Sequence, residues 1–310
     1  VSANASGLSR QSTSTELDML ATFELDWSEL DLSTLIGEGS YGKVYRASWR
    51  STEVAVKVLS GTVVGDEVDV LDNFRREACL LRRLRHPNVV LLMGVVSNPP
   101  QLAIVTEYLH RGSLFDVIGR ARDKGPGSLP WARKLQMAID VAVGMAFLHS
   151  NEPPVLHRDL KSSNLLVDRN MNVKICDLGL GRMMEGTMIT ASRTGVNSPR
   201  WMSPEYLRGE PTTGAMDTYS FGVVLWELLT LQVPWAEFSN TWQVRTDART
   251  ARSLVPHAAI YANKLCARAR AECWSYCSLV PVRAARLARA HILVLCVSPE
   301  CAGRNWFTCI

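Results

Sequence analysis

The stretch VLHRDLKSSNLLVDRNMNVKICDLG, residues 155–179, carries side chains whose types and spacing could move a phosphoryl group. Asp159 can accept a hydroxyl proton, and Lys161, two positions on, can neutralise charge on the group in transit. The apolar runs Leu165 to Val167 and Val173 to Ile175 flank a polar turn and predict a β-hairpin. Asn164 ends one leg and Asp177 the other, so antiparallel pairing predicts two oxygen ligands side by side. That pair suits a hard cation such as Mg2+, which also takes phosphate oxygens. Order and spacing together argue against a chance constellation.

A second set lies upstream. In LIGEGSYGKVYRASW, residues 35–49, Gly37, Gly39 and Gly42 form a GxGxxG pattern that fits a dinucleotide fold or a loop covering phosphates. A dinucleotide site needs a helix to begin there, whereas Val44, Tyr45, Ala47 and Trp49 read as a strand. The expected element is a strand, a glycine turn and a strand, with backbone N–H groups open to phosphate oxygens. In the following strand TEVAVKVL, alternation puts Ala55 and Lys57 on one face and Val54, Val56 and Val58 on the other. A lone strand lysine is commonly solvated. In NFRREACLLRRLRHPN, however, Phe74, Ala78 and Leu81 mark an inward helical face that also carries Glu77. A carboxylate in an apolar stripe requires a cation, and Lys57 is the natural partner. The arginines at 75, 76, 82, 83 and 85 read as a solvated face.

Together these motifs resemble the catalytic domain of eukaryotic protein kinases, from about Leu32 to Val244. The resemblance implies ATP and Mg2+ as cofactors, with Ile36, Gly37, Gly39, Ser40, Tyr41 and Gly42 in the loop over ATP. It implies Lys57 on the α and β phosphates, Glu77 holding that lysine, Asp159 as base, Lys161 assisting transfer, and Asn164 and Asp177 as metal ligands. Thr106 resembles the gatekeeper, the backbone of Glu107 and Leu109 would meet the adenine edge, and Val44, Ala55 and Leu166 would enclose its faces. Ser198 matches the serine or threonine that touches Asp159 and Lys161, and Asp217 would brace the catalytic loop. Lys161 in HRDLKSSN implies a serine/threonine kinase. The stretches DWSELDLSTLIGEGSYGKVYRASWRSTEVAVK and GVNSPRWMSPE are most similar to Raf-like kinases, often first-tier members of mitogen-activated cascades. The partner implied is a protein bearing a Ser or Thr hydroxyl, such as a downstream kinase. Arg158 implies pairing with an activation-segment phosphate, the candidates being Thr187, Thr190, Ser192 and Thr194. Asp-Leu-Gly replaces the family's Asp-Phe-Gly, with Leu178 still apolar. A catalytically weak scaffold that binds nucleotide is the competing expectation.

The elements needed to position these residues predict an α+β, two-lobed fold. It has an antiparallel sheet with one helix over residues 30–110 and a mostly helical lobe over 111–244, including helices from Trp131 to His149 and Asp217 to Thr230. The second helix is apolar nearly all round. Residues 1–29 read as a flexible segment, the first 25 being rich in Ser, Thr and Ala. At 310 residues and 47% apolar content the chain is long enough for a sizeable core. Residues 1–244 carry 24 basic and 27 acidic side chains, which argues against nucleic acid as the main partner. Residues 245–310 carry 10 basic and 3 acidic side chains and six of the eight cysteines, without zinc spacing or a heptad repeat. Past Val244 the expected final helices of the family are missing. The change to aperiodic Ala, Arg and Cys reads as a coding boundary, with residues 245–310 an atypical tail. The run HILVLCV is too short to span a membrane and no signal peptide opens the chain, so a cytoplasmic location is expected. Residue 1 is Val rather than Met, which predicts a processed product or part of a longer protein. Oligomeric state is left open by the sequence.

Overall fold

The structure is a computed structural model and describes residues 20–39, 42–59, 67–98, 101–125, 127–178, 182–183, 199–210 and 213–236. Residues 1–19, Ser40, Tyr41, Ser198, the four candidate phosphorylation sites and the tail 245–310 lie outside the described residues. The chain divides into two compact units, Val1–His110 with Cys176–Gly179, and Arg111–Ile175 with Leu180–Ile310. The first is a sheet with one helix and the second is mostly helical, which is the α+β, two-lobed class expected.

In the first unit, strands β1 (Leu30–Gly39), β2 (Gly42–Trp49) and β3 (Thr52–Leu59) precede helix α1 (Glu67–Arg83) and strands β4 (Leu92–Val96) and β5 (Ala103–Glu107). The sheet order is β1-β2-β3-β5-β4, antiparallel at every step. The turn from β2 to β3 is two residues long, with Arg50 and Ser51 both left-handed at φ 47° and 63°. Two positive-φ residues match the twist of the flanking strands, even without a glycine. On β3, Val54 and Val56 are buried in a cluster with Leu30, Ala47, Val96, Ala103 and Val105, while Ala55 and Lys57 face the other way. Fully burying a valine contributes roughly 1.5–3 kcal/mol, so this face holds the alternation in register. On α1, Phe74, Ala78 and Leu81 are buried as the helical period requires, and Glu77 is buried with them.

Residues 20–29 differ from expectation. Instead of a flexible lead, Ala21–Phe23 and Trp27–Glu29 form 3-10 turns that pack on the sheet edge. The Leu25 N–H donates to Val95 O at 2.8 Å, and the Glu24 carboxylate accepts from the N–H and Oγ of Ser97 at 2.8 and 2.9 Å. Leu20 and Leu25 are buried. The reason lies 69 residues from Leu25, at Gly94: a Cβ there would come within 2.4 Å of Leu25 Cδ1 and 3.0 Å of Phe23 O. The strap fits because the strand beneath it has no side chain at that point.

The second unit contains α2 (Leu114–Lys124), α3 (Trp131–His149), β6 (Val155–Leu156), β7 (Leu165–Val167), β8 (Val173–Ile175), β9 (Arg182–Met183), α4 (Pro204–Arg208) and α5 (Ala215–Thr230). Ser113 and Asp116 form a reciprocal capping box that starts α2. Pro130 occupies the N-cap of α3, where no backbone N–H is needed. The predicted hairpin is present: β7 pairs with β8, Leu165 opposite Ile175 and Val167 opposite Val173. Helix α3 packs against β8 and α5. Helix α5 is less uniformly apolar inside than its sequence suggests, because Asp217, Ser220 and Glu227 are buried alongside Phe221, Val224 and Leu228.

The close fit of the strap generates a coupling test. Gly94→Ala is expected to destabilise the first unit by about 1–3 kcal/mol through overpacking, and Leu25→Ala by about 2–5 kcal/mol through a cavity. In a Leu25→Ala background the Gly94→Ala cost should shrink, because the obstructing side chain has gone. Denaturant melts of the two single variants and the double variant measure this; strictly additive losses would count against the strap.

Candidate active site

In the first unit a three-charge cluster forms around Lys57. Its Nζ donates to Glu77 Oε1 and Oε2 at 2.9 and 3.0 Å and to Asp177 Oδ1 at 3.0 Å. Lys57 and Glu77 are 19% and 8% exposed and Asp177 is 41% exposed, so the pair is shielded and the third charge reaches solvent. Burial works against the Lys57 ammonium, but the charges of Glu77 and Asp177 outweigh it and hold its pKa above the ordinary lysine value. At Glu77 burial raises the pKa, aided by the Asp177 charge and opposed by Lys57. With both carboxylate oxygens on one ammonium, the ionised pair is the form that fits these distances. Asp177 adopts a left-handed backbone at φ 57°, a conformation few non-glycine residues hold unless the surroundings enforce it.

Strand register assembles the neighbours of this lysine. Val44 lies opposite Lys57, and Ala55 lies opposite Thr106. Cross-strand partners share a face, and so do residues two apart on one strand, so Val44, Ala55, Lys57 and Thr106 form one patch. Gly37 pairs with Val44 and Gly39 with Gly42, which makes the expected strand, turn and strand. Gly42 has φ 141°, and a Cβ there would stand 2.1 Å from Val58 O, so only glycine passes. Ile36 on β1 is exposed and Leu109 is buried. The Glu107 N–H donates to Leu91 O at 3.1 Å, so a ligand contact at Glu107 would use its carbonyl.

In the second unit, Asp159, Lys161 and Asn164 come together. Lys161 Nζ donates to Asp159 Oδ2 at 2.7 Å, and Asn164 Nδ2 donates to the carbonyl and Oδ2 of Asp159 at 2.9 and 3.1 Å. With its amide nitrogen committed to Asp159, Asn164 would offer a metal its carbonyl oxygen. Arg158, at φ 68°, turns the chain just before the base. Beneath the loop, the Asp217 carboxylate accepts from the N–H groups of His157 and Arg158 at 2.9 and 2.8 Å, and pairs with His149 Nε2 at 2.9 Å. Burial pushes Asp217 up, but the His149 hydrogen bond, the nearby His157 and the Arg158 N–H bring it below its ordinary value. Leu166 is half-buried on β7, bridged to Ser113.

The sequence pattern of the protein tyrosine and serine/threonine kinase family matches residues 30–278. The chain belongs to this family. The match continues past Val244 to Ser278, beyond the point where composition alone suggested an end. The chain is 47% identical to a probable serine/threonine-protein kinase, SIS8, of Arabidopsis thaliana over 76% of its own length and 22% of that relative. It is likewise 47% identical to the serine/threonine-protein kinase CTR1 of the same plant, over 70% of this chain and 26% of the relative. A probable serine/threonine-protein kinase of Dictyostelium discoideum, drkD, is 42% identical over 74% of this chain and 17% of the relative. The chain therefore spans about a quarter of the length of the two plant relatives.

Within this kinase domain, sequence reasoning paired Lys57 with Glu77 and singled out Asp159, Lys161, Asn164 and Asp177, but missed four residues around the catalytic loop. His149, the buried donor Ser162 and the half-buried donor Trp201 carry no signature of their own. The buried carboxylate that receives the last two, Glu227, gave the same signal as Glu77: an acid inside an apolar helical run.

The Asp217 geometry predicts a stability loss. Asp217→Asn keeps the volume but turns a donor toward N–H groups, so one or two buried donors lose an acceptor at about 1–3 kcal/mol each. Because the folded pKa is depressed, the wild-type contribution is complete above the unfolded carboxylate value and is lost as pH falls through the folded one. Acid unfolding followed by circular dichroism should show part of this limb missing in the variant. An identical acid limb would mean that Asp217 does not bear the load assigned here.

Proposed function

We propose that this domain is a Mg-ATP-dependent serine/threonine kinase that transfers a phosphoryl group to a protein hydroxyl. The observation that carries the reading is the catalytic loop, where Asp159 is hydrogen-bonded to both Lys161 and Asn164 on a turn held from below by Asp217. The residues present fit the nucleotide and its metal. An ammonium fixed by a buried carboxylate matches phosphate oxygens, and an exposed aspartate and an amide carbonyl are oxygen ligands of the kind magnesium takes.

ATP with magnesium would supply the γ-phosphoryl group and screen its charge. Glu77 holds Lys57 so that its ammonium contacts phosphate without conformational search, and Val44, Ala55 and Thr106 flank it on the sheet face. Asp177 and Asn164 would hold the metal. Asp159 takes the proton as the substrate hydroxyl oxygen bonds to phosphorus and the bond to the ADP oxygen breaks. Lys161, held at the base, offsets charge on the moving group. The lysine two residues after the base supports serine and threonine as acceptors, as do the printed names of the relatives. A Raf-like role with a downstream kinase as substrate, and a cytoplasmic setting, belong to the same proposal. No helix among the described residues is long and apolar enough to cross a membrane.

Asp159→Asn is expected to lower kcat by roughly 10²–10⁴-fold while nucleotide still raises the melting temperature. Lys57→Met removes one phosphate contact and should lower kcat by about 10²–10³-fold with the fold retained. Radiolabel transfer to a serine-containing peptide, alongside thermal shifts with Mg-ATP, tests both. Activity within a few-fold of the parent in either variant would refute the assigned role.

A further inference from the structure

In the first unit the side chains of Arg46, Glu53, His110 and Tyr108 close a ring at the outer end of the sheet face that carries Lys57. Glu53, Ala55 and Lys57 alternate along β3 on that face, and Arg46 joins them because it lies opposite Ala55 on β2. Arg46 Nη2 donates to Glu53 Oε1, and His110 Nε2 meets Glu53 Oε2 at 2.6 Å. The Arg46 guanidinium stands 5.2 Å from the centre of the Tyr108 ring, and Tyr108 meets His110 edge to face with ring centres 4.9 Å apart. Two strands of the sheet are thus joined to the segment that leaves β5.

Fold stability gives little reason for this ring. The side chains of Arg46, Glu53 and His110 are 47%, 35% and 28% exposed, and ion pairs so open to water add little. The hydrogen bonds from His110 and Arg46 hold the Glu53 carboxyl down to about 2, so it is ionised and only accepts, and His110 Nε2 is the donor. What the ring restrains is position. Tyr108 and His110 flank Leu109, whose side chain is buried. With one side chain held inside and its two neighbours tied to the sheet, the backbone between them has little freedom. Leu109 is the residue whose backbone the family resemblance puts at the adenine edge, and a backbone ordered beforehand loses less entropy on binding.

We propose that Glu53 is a positioning residue that clamps residues 108–110 to the sheet through Arg46 and His110, and so presets the Leu109 backbone for an adenine ring. This rests on the kinase reading. Glu53→Ala opens the ring at its centre, His110→Ala removes one donor, and Glu53→Gln keeps the volume and one acceptor. Hydrogen exchange on the full chain should quicken at least several-fold over 107–110 for Glu53→Ala and less for Glu53→Gln, with residues 54–58 and the melting temperature unchanged. By calorimetry, Glu53→Ala should bind adenosine and Mg-ADP about fivefold more weakly. It should bind magnesium tripolyphosphate as the parent does, because the Lys57 patch is untouched. In assays with a serine peptide, the KM for ATP should rise by a similar factor with kcat unchanged. His110→Ala should match Glu53→Ala, and the double variant should add little.

Unchanged exchange over 107–110 in Glu53→Ala would overturn the proposal. So would an equal loss of adenosine and tripolyphosphate affinity with a lowered melting temperature, since that marks general loosening of the sheet. A parent chain that binds neither adenosine nor Mg-ADP would refute the kinase reading instead, and the exchange arms would still decide whether Glu53 holds the segment.

Discussion

Charges withdrawn from water must find partners, and this constraint organises each unit of the protein. An unpaired buried ion costs several kcal/mol or more, enough to cancel much of a domain's stability of about 5–15 kcal/mol. Lys57 is therefore tied to Glu77 and Asp177, Asp159 to Lys161 and Asn164, and Asp217 to His149 and two backbone N–H groups. Each pairing also fixes a reactive group in place. The requirement that makes the interior tolerable is the same one that prepares the chemistry.

Secondary structure delivers these charges to their partners by different routes. In the first unit the period of two on β3 separates a valine face, packed in the core, from the face that carries Lys57. The period of α1 then puts Glu77 among Phe74, Ala78 and Leu81. In the second unit periodicity matters less. The loop from His157 to Asn164 has little regular structure, and it is held by side chains of α5, where Asp217 and Glu227 lie ten positions apart, close to three helical turns. One rigid helix thus presents two carboxylates to opposite parts of the same loop.

Left-handed residues mark where the chain bends sharply near function. Arg158 and Asp177 hold positive φ without being glycine. Such conformations cost on the order of 1–3 kcal/mol each and persist where surrounding bonds impose them. For Arg158 the bond is visible: its N–H is fixed to Asp217 Oδ1. For Asp177 the carboxylate is anchored to Lys57.

Much of this was determined by the sequence alone, because it follows from short-range rules. The alternation of TEVAVKVL, the helical stripe containing Glu77 and the two apolar legs around Asp168 to Asn172 each predict their own element, and the structure contains β3, α1 and the β7–β8 hairpin accordingly. The types of Asp159, Lys161, Asn164 and Asp177 announce their chemistry wherever they are placed. Three features were decided only by tertiary structure. Residues 20–29 read as flexible by composition, yet they are seated because Gly94, far along the chain, leaves room for Leu25. Ser162 is an ordinary serine until it meets Glu227, 65 residues away, and Trp201 becomes a half-buried donor to the same acid 26 residues away. Local patterns report which face of an element turns inward, whereas which side chains meet there depends on how distant segments close on one another, and no window of sequence contains that.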